Sequence, residues 1–189
     1  MKKNSQLRTT NYVLRTSAGF TLVETFVAVV LLSVTIVAPM MLTVRSLSSA
    51  YYARDQVTAF HLAQEAIEVV RHIRDSNILK IVYGESTNLF AGIPSTSGEA
   101  FYVDAPSSAA LDCGDSGCPL LTTDGELYGY GEGGNWRSTK FTRAVRVTAI
   151  NPDELRVAVT VSWKSGPFKE RTFTISENVY RWVEDGSAI

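Results

Sequence analysis

The sequence predicts an α+β chain in which one long N-terminal helix packs on a small C-terminal antiparallel sheet. Three observations lead there. Residues 20–44 (FTLVETFVAVVLLSVTIVAPMMLTV) form an apolar run with a single charge, Glu24. Residues 50–77 contain neither Gly nor Pro and sort their apolar side chains onto one helical face. Near the C-terminus, three segments alternate polar and apolar residues, as half-buried strands do.

The first element is long enough to matter to a membrane. Twenty-five helical residues at about 1.5 Å each span roughly 37 Å, more than the roughly 30 Å hydrocarbon core of a bilayer. A secretory signal would have a shorter apolar stretch followed by a small-residue cleavage site. Pro39 sits inside the run, removes one helical hydrogen bond and predicts a kink or local unwinding, with Ser33 and Thr35 placed to satisfy freed carbonyls. An acid near the start of such a helix is costly and asks for a partner or a function.

Beyond the polar stretch 46–49 the helical pattern resumes. At 100° per residue, Ala59, Leu62, Ala63, Ala66, Val69, Val70 and Ile73 share one face, and Gln64, Glu65, Glu68, Arg71, His72 and Asp75 lie opposite. Ser76-Asn77 reads as the frayed end. Joined to the apolar run, residues 20–77 make a helix of about 87 Å, too long for the interior of a small domain.

Residues 84–135 hold ten of the thirteen glycines and read as loop, with short strands near 101–103 and 120–121 and a hairpin turn at Asp124-Gly125. The strands proper are 141–150, 155–163 and 171–180, separated by Asn-Pro-Asp and Lys-Ser-Gly-Pro turns. In the middle strand Leu155, Val157, Val159, Val161 and Trp163 share a face that needs a cover, and the amphipathic half of the helix supplies one.

Composition narrows the function classes. The chain has 189 residues, 45% apolar and 20% charged, with a net charge of −1. That suits one domain plus an anchor. Four of the 18 basic residues (Lys2, Lys3, Arg8, Arg15) lie in the first 19 positions, which contain no acid, so the remainder carries 14 basic against 19 acidic residues, a net −5. No nucleic-acid footprint is indicated. The basic leader predicts a cytoplasmic N-terminus and an external C-terminal domain. Cys113 and Cys118, the only cysteines, read in that external setting as one disulfide, with free thiols the alternative.

A basic leader ending in Gly19, the Gly19-Phe20 junction, Glu24 five residues beyond it and a long apolar helix together resemble the prepilin signal of type IV pilins and type II secretion pseudopilins. The resemblance covers residues 1–77. It implies a pilin-like fold, cleavage after Gly19 by prepilin peptidase, and methylation of the new N-terminus at Phe20. It implies assembly into a filament through a pair between the Glu24 carboxylate and a neighbour's Phe20 amino group. Pro39 lies near the family's mid-anchor proline.

The organisation follows: leader 1–19, transmembrane and filament-core helix 20–44, amphipathic continuation 45–77, loop region 78–140, sheet 141–183 and tail 184–189. The segment LAQEAIEVVRHIRDSN with the FTRAV and VSW strands resembles the minor-pilin branch. The implied partners are prepilin peptidase, other subunits, an inner-membrane assembly platform and, before assembly, membrane lipid. The implied location is the cytoplasmic membrane, then a cell-surface or periplasmic filament. A pseudopilin of a secretion or DNA-uptake system carries the same signal. The cysteine loop is similar to small disulfide loops of some pilins but lies well before the C-terminal strands.

Two other classes compete. An anchored enzyme needs a catalytic constellation, and no Gly-x-Ser-x-Gly, Walker or His-Glu-x-x-His pattern occurs, so no catalytic residue is assigned. His61 and His72 fall on the helix and read as polar-face residues. No cofactor is expected, with calcium the one candidate: Asp112, Asp115, Asp124 and Glu126 could supply oxygens, although no twelve-residue calcium loop is present and turn-forming acids are the plainer reading. A membrane-anchored binding module outside any filament is the second class. For it, Tyr128, Tyr130 and Trp136 could contact carbohydrate or protein, or else cap the sheet edge.

Overall fold

A computed structural model describes residues 19–151, 153–165 and 169–180. The layout is α+β, with a long N-terminal helix, α1 (Leu22–Val82), and a C-terminal antiparallel sheet on which its second half packs. The chain divides into two units, Met1–Ser48 and Ser49–Ile189.

In the first unit, α1 exposes large apolar side chains all round, from Leu22 through Phe26, Leu31, Ile36 and Met41 to Val44. This stretch is long and apolar enough to cross a membrane. Helical assignment continues through Pro39, so the expected local unwinding does not occur. The Ser33 and Thr35 hydroxyls donate to Val29 O and Leu32 O, at 2.7 and 2.8 Å. Neither reaches the Thr35 carbonyl, the one that Pro39 deprives of its helical donor.

In the second unit, Ala59, Leu62, Ala63, Ala66, Val69 and Val70 are buried, as the helical periodicity predicts. The helix ends at Val82, five residues beyond the expected frayed end at Asn77. Asn77 is instead buried, and its Nδ2 donates to Leu89 O at 3.1 Å and Ala91 O at 2.8 Å. The true stop is Gly84, with φ of +86°, where Gly84 N bonds Ile81 O and Glu85 N bonds Lys80 O. That pair of bonds is the Schellman arrangement, which needs the left-handed conformation glycine adopts without strain.

Among the described residues the sheet has seven strands, where the sequence predicts three clear ones and two short ones. They are β1 (Ser97–Asp104), β2 (Ala109–Asp112), β3 (Leu120–Thr123), β4 (Tyr128–Gly129), β5 (Arg137–Asn151), β6 (Glu154–Ser165) and β7 (Lys169–Tyr180). The stretch 78–140 expected as loop-rich holds α1's last turn and four strands, and two of these, β1 and β3, contain the short strands expected near 101–103 and 120–121. The long strand β5 organises the rest. Its one side pairs with β6 from Phe141↔Trp163 to Asn151↔Glu154, and β6 pairs with β7. Its other side is shared end to end: β3 pairs near Arg137 to Thr142, and β1 near Val145 to Thr148. Leu155, Val157, Val159, Val161 and Trp163 are all buried beneath α1, as the alternation predicts. The end of the sheet region assigned to residues 181–183, and the tail 184–189, lie outside the described residues.

Candidate functional site

The Gly19-Phe20 junction, which the sequence marks as a candidate processing site, lies at the start of α1. Gly19 and Phe20 precede the helix and are exposed; Phe20 retains 82% of its accessible surface. Thr21 is the N-cap: its Oγ1 accepts the Glu24 N–H at 3.2 Å, and its carbonyl accepts the Thr25 N–H at 3.1 Å. Thr-x-x-Glu is capping-box spacing, and an acid in the first turn also complements the helix dipole. The Glu24 side chain is exposed and has no ion-pair partner among the described residues. The capping role is an addition to the membrane-charge and assembly roles expected for Glu24, and the Thr21-to-Glu24 spacing makes it legible in the sequence. The leader residues Lys2, Lys3, Arg8 and Arg15 lie outside the described residues.

In the second unit the dominant polar feature is Arg143, which sequence reasoning missed. It occupies the core face of β5 between Phe141 and Val145 and is fully buried. Its Nη1 donates to Glu65 Oε2 at 2.7 Å and Leu62 O at 3.1 Å, and its Nη2 donates to Val103 O at 2.6 Å. Its place in the topology explains this. The β1–β5 ladder stops at Phe101↔Val145, and β3 takes over from Thr142, so Arg143 falls at the handover between partners. The guanidinium supplies a donor to Val103 O there and simultaneously ties β5 to α1. Close by, the Tyr130 ring packs on Tyr102 at 4.5 Å, and burial pushes the Tyr130 hydroxyl up to about 12, with Arg143 acting in the opposite direction.

Other side chains brace the helix. Lys140 Nζ lies 2.6 Å from the buried Asp55 carboxylate. Arg71 bonds Glu177 through Nε at 3.1 Å and again through Nη2, and also meets Glu68 at 3.2 Å. Hydrogen bonding to Glu177 is the main cause of a raised Arg71 pKa, opposed by desolvation.

The four candidate calcium ligands are not assembled. Asp112 ends β2, Asp115 lies in the cysteine loop, and Asp124 and Glu126 belong to the β3–β4 turn; no cluster of three or more His, Cys, Asp or Glu suited to a metal occurs among the described residues. Asp124 is engaged by the turn itself. Its Oδ1 accepts the Leu127 N–H at 2.8 Å and the Glu126 N–H at 2.9 Å, and these bonds hold its carboxyl below the usual value. Cys113 and Cys118 form a disulfide. His61 and His72 are exposed on α1. Tyr128 and Tyr130 pack against the core, and the Trp136 ring lies so close over Gly131 that a Cβ there would enter the indole. Trp136 thus packs within its own loop.

No family model, no curated protein and no solved structure matches this chain.

Proposed function

We propose that this chain is a structural subunit, of the minor-pilin kind, of a type IV pilus-like filament. Prepilin peptidase cuts it after Gly19, the leader stays in the cytoplasm, and the C-terminal domain lies outside. The observation that carries this reading is the run from Leu22 to Val44: exposed apolar side chains on every side, and one acid, Glu24, without an ion-pair partner among the described residues. Such a surface needs lipid first and other helices afterwards. In a bundle of these helices, a buried Glu24 and the new amino group of a neighbour's Phe20 offset each other's desolvation, and only the correct stagger brings them together. A pseudopilin of a secretion or DNA-uptake system would use the same chemistry. No catalytic step is assigned to the chain.

The Thr21–Glu24 cap favours one other reading, a plain membrane-anchored binding domain in which Glu24 merely starts the helix. The two separate cleanly. Glutamine also completes a capping box but cannot pair as an anion. The filament reading expects Glu24→Gln to leave cleavage intact and to abolish incorporation into sheared surface filaments. It also expects a mature, methylated N-terminus at Phe20 by mass spectrometry. An intact Met1 together with unchanged behaviour of Glu24→Gln would leave only the anchored domain.

A further inference from the structure

The two lateral edges of the sheet carry opposite charge at the same end of the strands. Because β6 pairs with β5 over the same stretch as β3 and β1, it lies on the opposite side of β5 from them. The edges β7 and β4 are therefore separated by β6, β5 and β3, about 19 Å in all at roughly 4.8 Å per strand. Trp163 pairs with both Phe141 and Arg171, and Thr123 pairs with Arg137, which places the β6–β7 basic residues and the β3–β4 turn toward the same end of β5.

One edge there is basic. Lys164 and Lys169 are exposed and have no ion-pair partner among the described residues. Arg171 stacks over Tyr52 at 4.8 Å, and its buried Nε has no hydrogen-bond partner. Glu170 removes one of these charges. The other edge is acidic, with Asp124, Glu126 and Glu132 exposed and Arg137 removing one charge. Glu126 and Glu132 likewise have no ion-pair partner among the described residues. Across the strands Lys164 faces Glu170 and Lys169 faces Ser165, so each edge keeps a net charge that an edge of opposite sign on another molecule would complement.

We propose that the β6–β7 basic edge is a docking surface for the acidic β3–β4 edge of a second copy of this chain. The contact is heterologous: each copy offers one edge and accepts the other, so it repeats along an open assembly instead of closing as a twofold pair. The inference rests on the filament reading for its setting and adds to it a contact between heads, distinct from the helix contact at Glu24.

Single cysteines test it in the full-length chain in native membranes, since both natural cysteines are already paired. Thr172→Cys on the β7 edge and Asn135→Cys beside the acidic turn, expressed as two co-resident copies, are expected to cross-link to each other, and each alone only weakly. Lys164→Glu with Lys169→Glu should lower the yield by up to about 25-fold, as should Glu126→Lys with Glu132→Lys, because each of two exposed ion pairs is worth at most about fivefold. All four changes in one chain should restore it, which a merely misfolded variant would not do. High salt should weaken the wild-type cross-link. Cross-linking indifferent to both reversals, or Thr172→Cys coupling mainly to itself, would overturn the proposal. Loss of filaments in Glu24→Gln with head cross-linking retained would instead indict only the Glu24 pairing.

Discussion

Arg143 and Glu65 form an ion pair, 2.7 Å between Nη1 and Oε2, whose two ends live in different environments: the guanidinium is fully buried and the carboxylate side chain is 35% exposed. The asymmetry decides which partner is dispensable. Glu65→Ala leaves a buried cation uncompensated and should cost about 3–5 kcal/mol. Arg143→Met fills the same space, lets Glu65 hydrate, and should cost less, about 1–3 kcal/mol, mainly for the unsatisfied Val103 carbonyl. Thermal melts of both variants in detergent check the order; a larger loss for Arg143→Met would reverse it.

The C-terminal end of α1 should be sensitive at two positions. Asn77→Ala strips Leu89 O and Ala91 O of their donor and is expected to cost about 1–3 kcal/mol. Gly84→Ala meets no atom within 4 Å but must adopt φ of +86°, so strain of about 1 kcal/mol is expected without any packing change. Urea midpoints with unchanged m-values would verify both.

The β3–β4 turn should depend on pH through Asp124. Its carboxyl is held below its ordinary value of 3.8 by the Leu127 and Glu126 amides. A depressed carboxyl contributes stability above that ordinary value and loses it as pH falls through the lowered folded value. Amide exchange at Leu127 should therefore accelerate relative to the core below about pH 4, and Asp124→Ala should remove that pH dependence.

The Cys113–Cys118 disulfide closes a very small loop on half-exposed residues outside the core. Replacing both cysteines with serine should cost about 2 kcal/mol at most, by the loop-entropy estimate. Near-UV circular dichroism of the core aromatics should stay unchanged. Global unfolding of that variant at room temperature would contradict a local role.

Gly131→Ala should be more disruptive than its half-buried loop setting suggests, because the new Cβ enters the Trp136 ring. The rigid indole must leave its place, at about 1–3 kcal/mol. A red-shifted tryptophan emission is the expected readout.

Periodicity was enough for the long elements. The apolar run, the amphipathic face from Ala59 to Val70 and the β6 alternation from Leu155 to Trp163 repeat often enough to identify helix, strand and buried face before any coordinates. The same run of residues determined that the first helical stretch is long and apolar enough to cross a membrane, with one acid within it. Tertiary structure decided the rest. Of the four strands between Ser97 and Gly129, β2 and β4 are four and two residues long, too short to display a period, and become strands by pairing with β1 and β3, which in turn pair with β5. Alternation in FTRAV puts Arg143 on the face of Phe141 and Val145, but only the handover from β3 to β1 gives it Val103 O, and α1 gives it Glu65. Local sequence determines what one helix or strand prefers; the partners of a buried charge come from residues 40 and 78 positions away, which only the folded chain brings together.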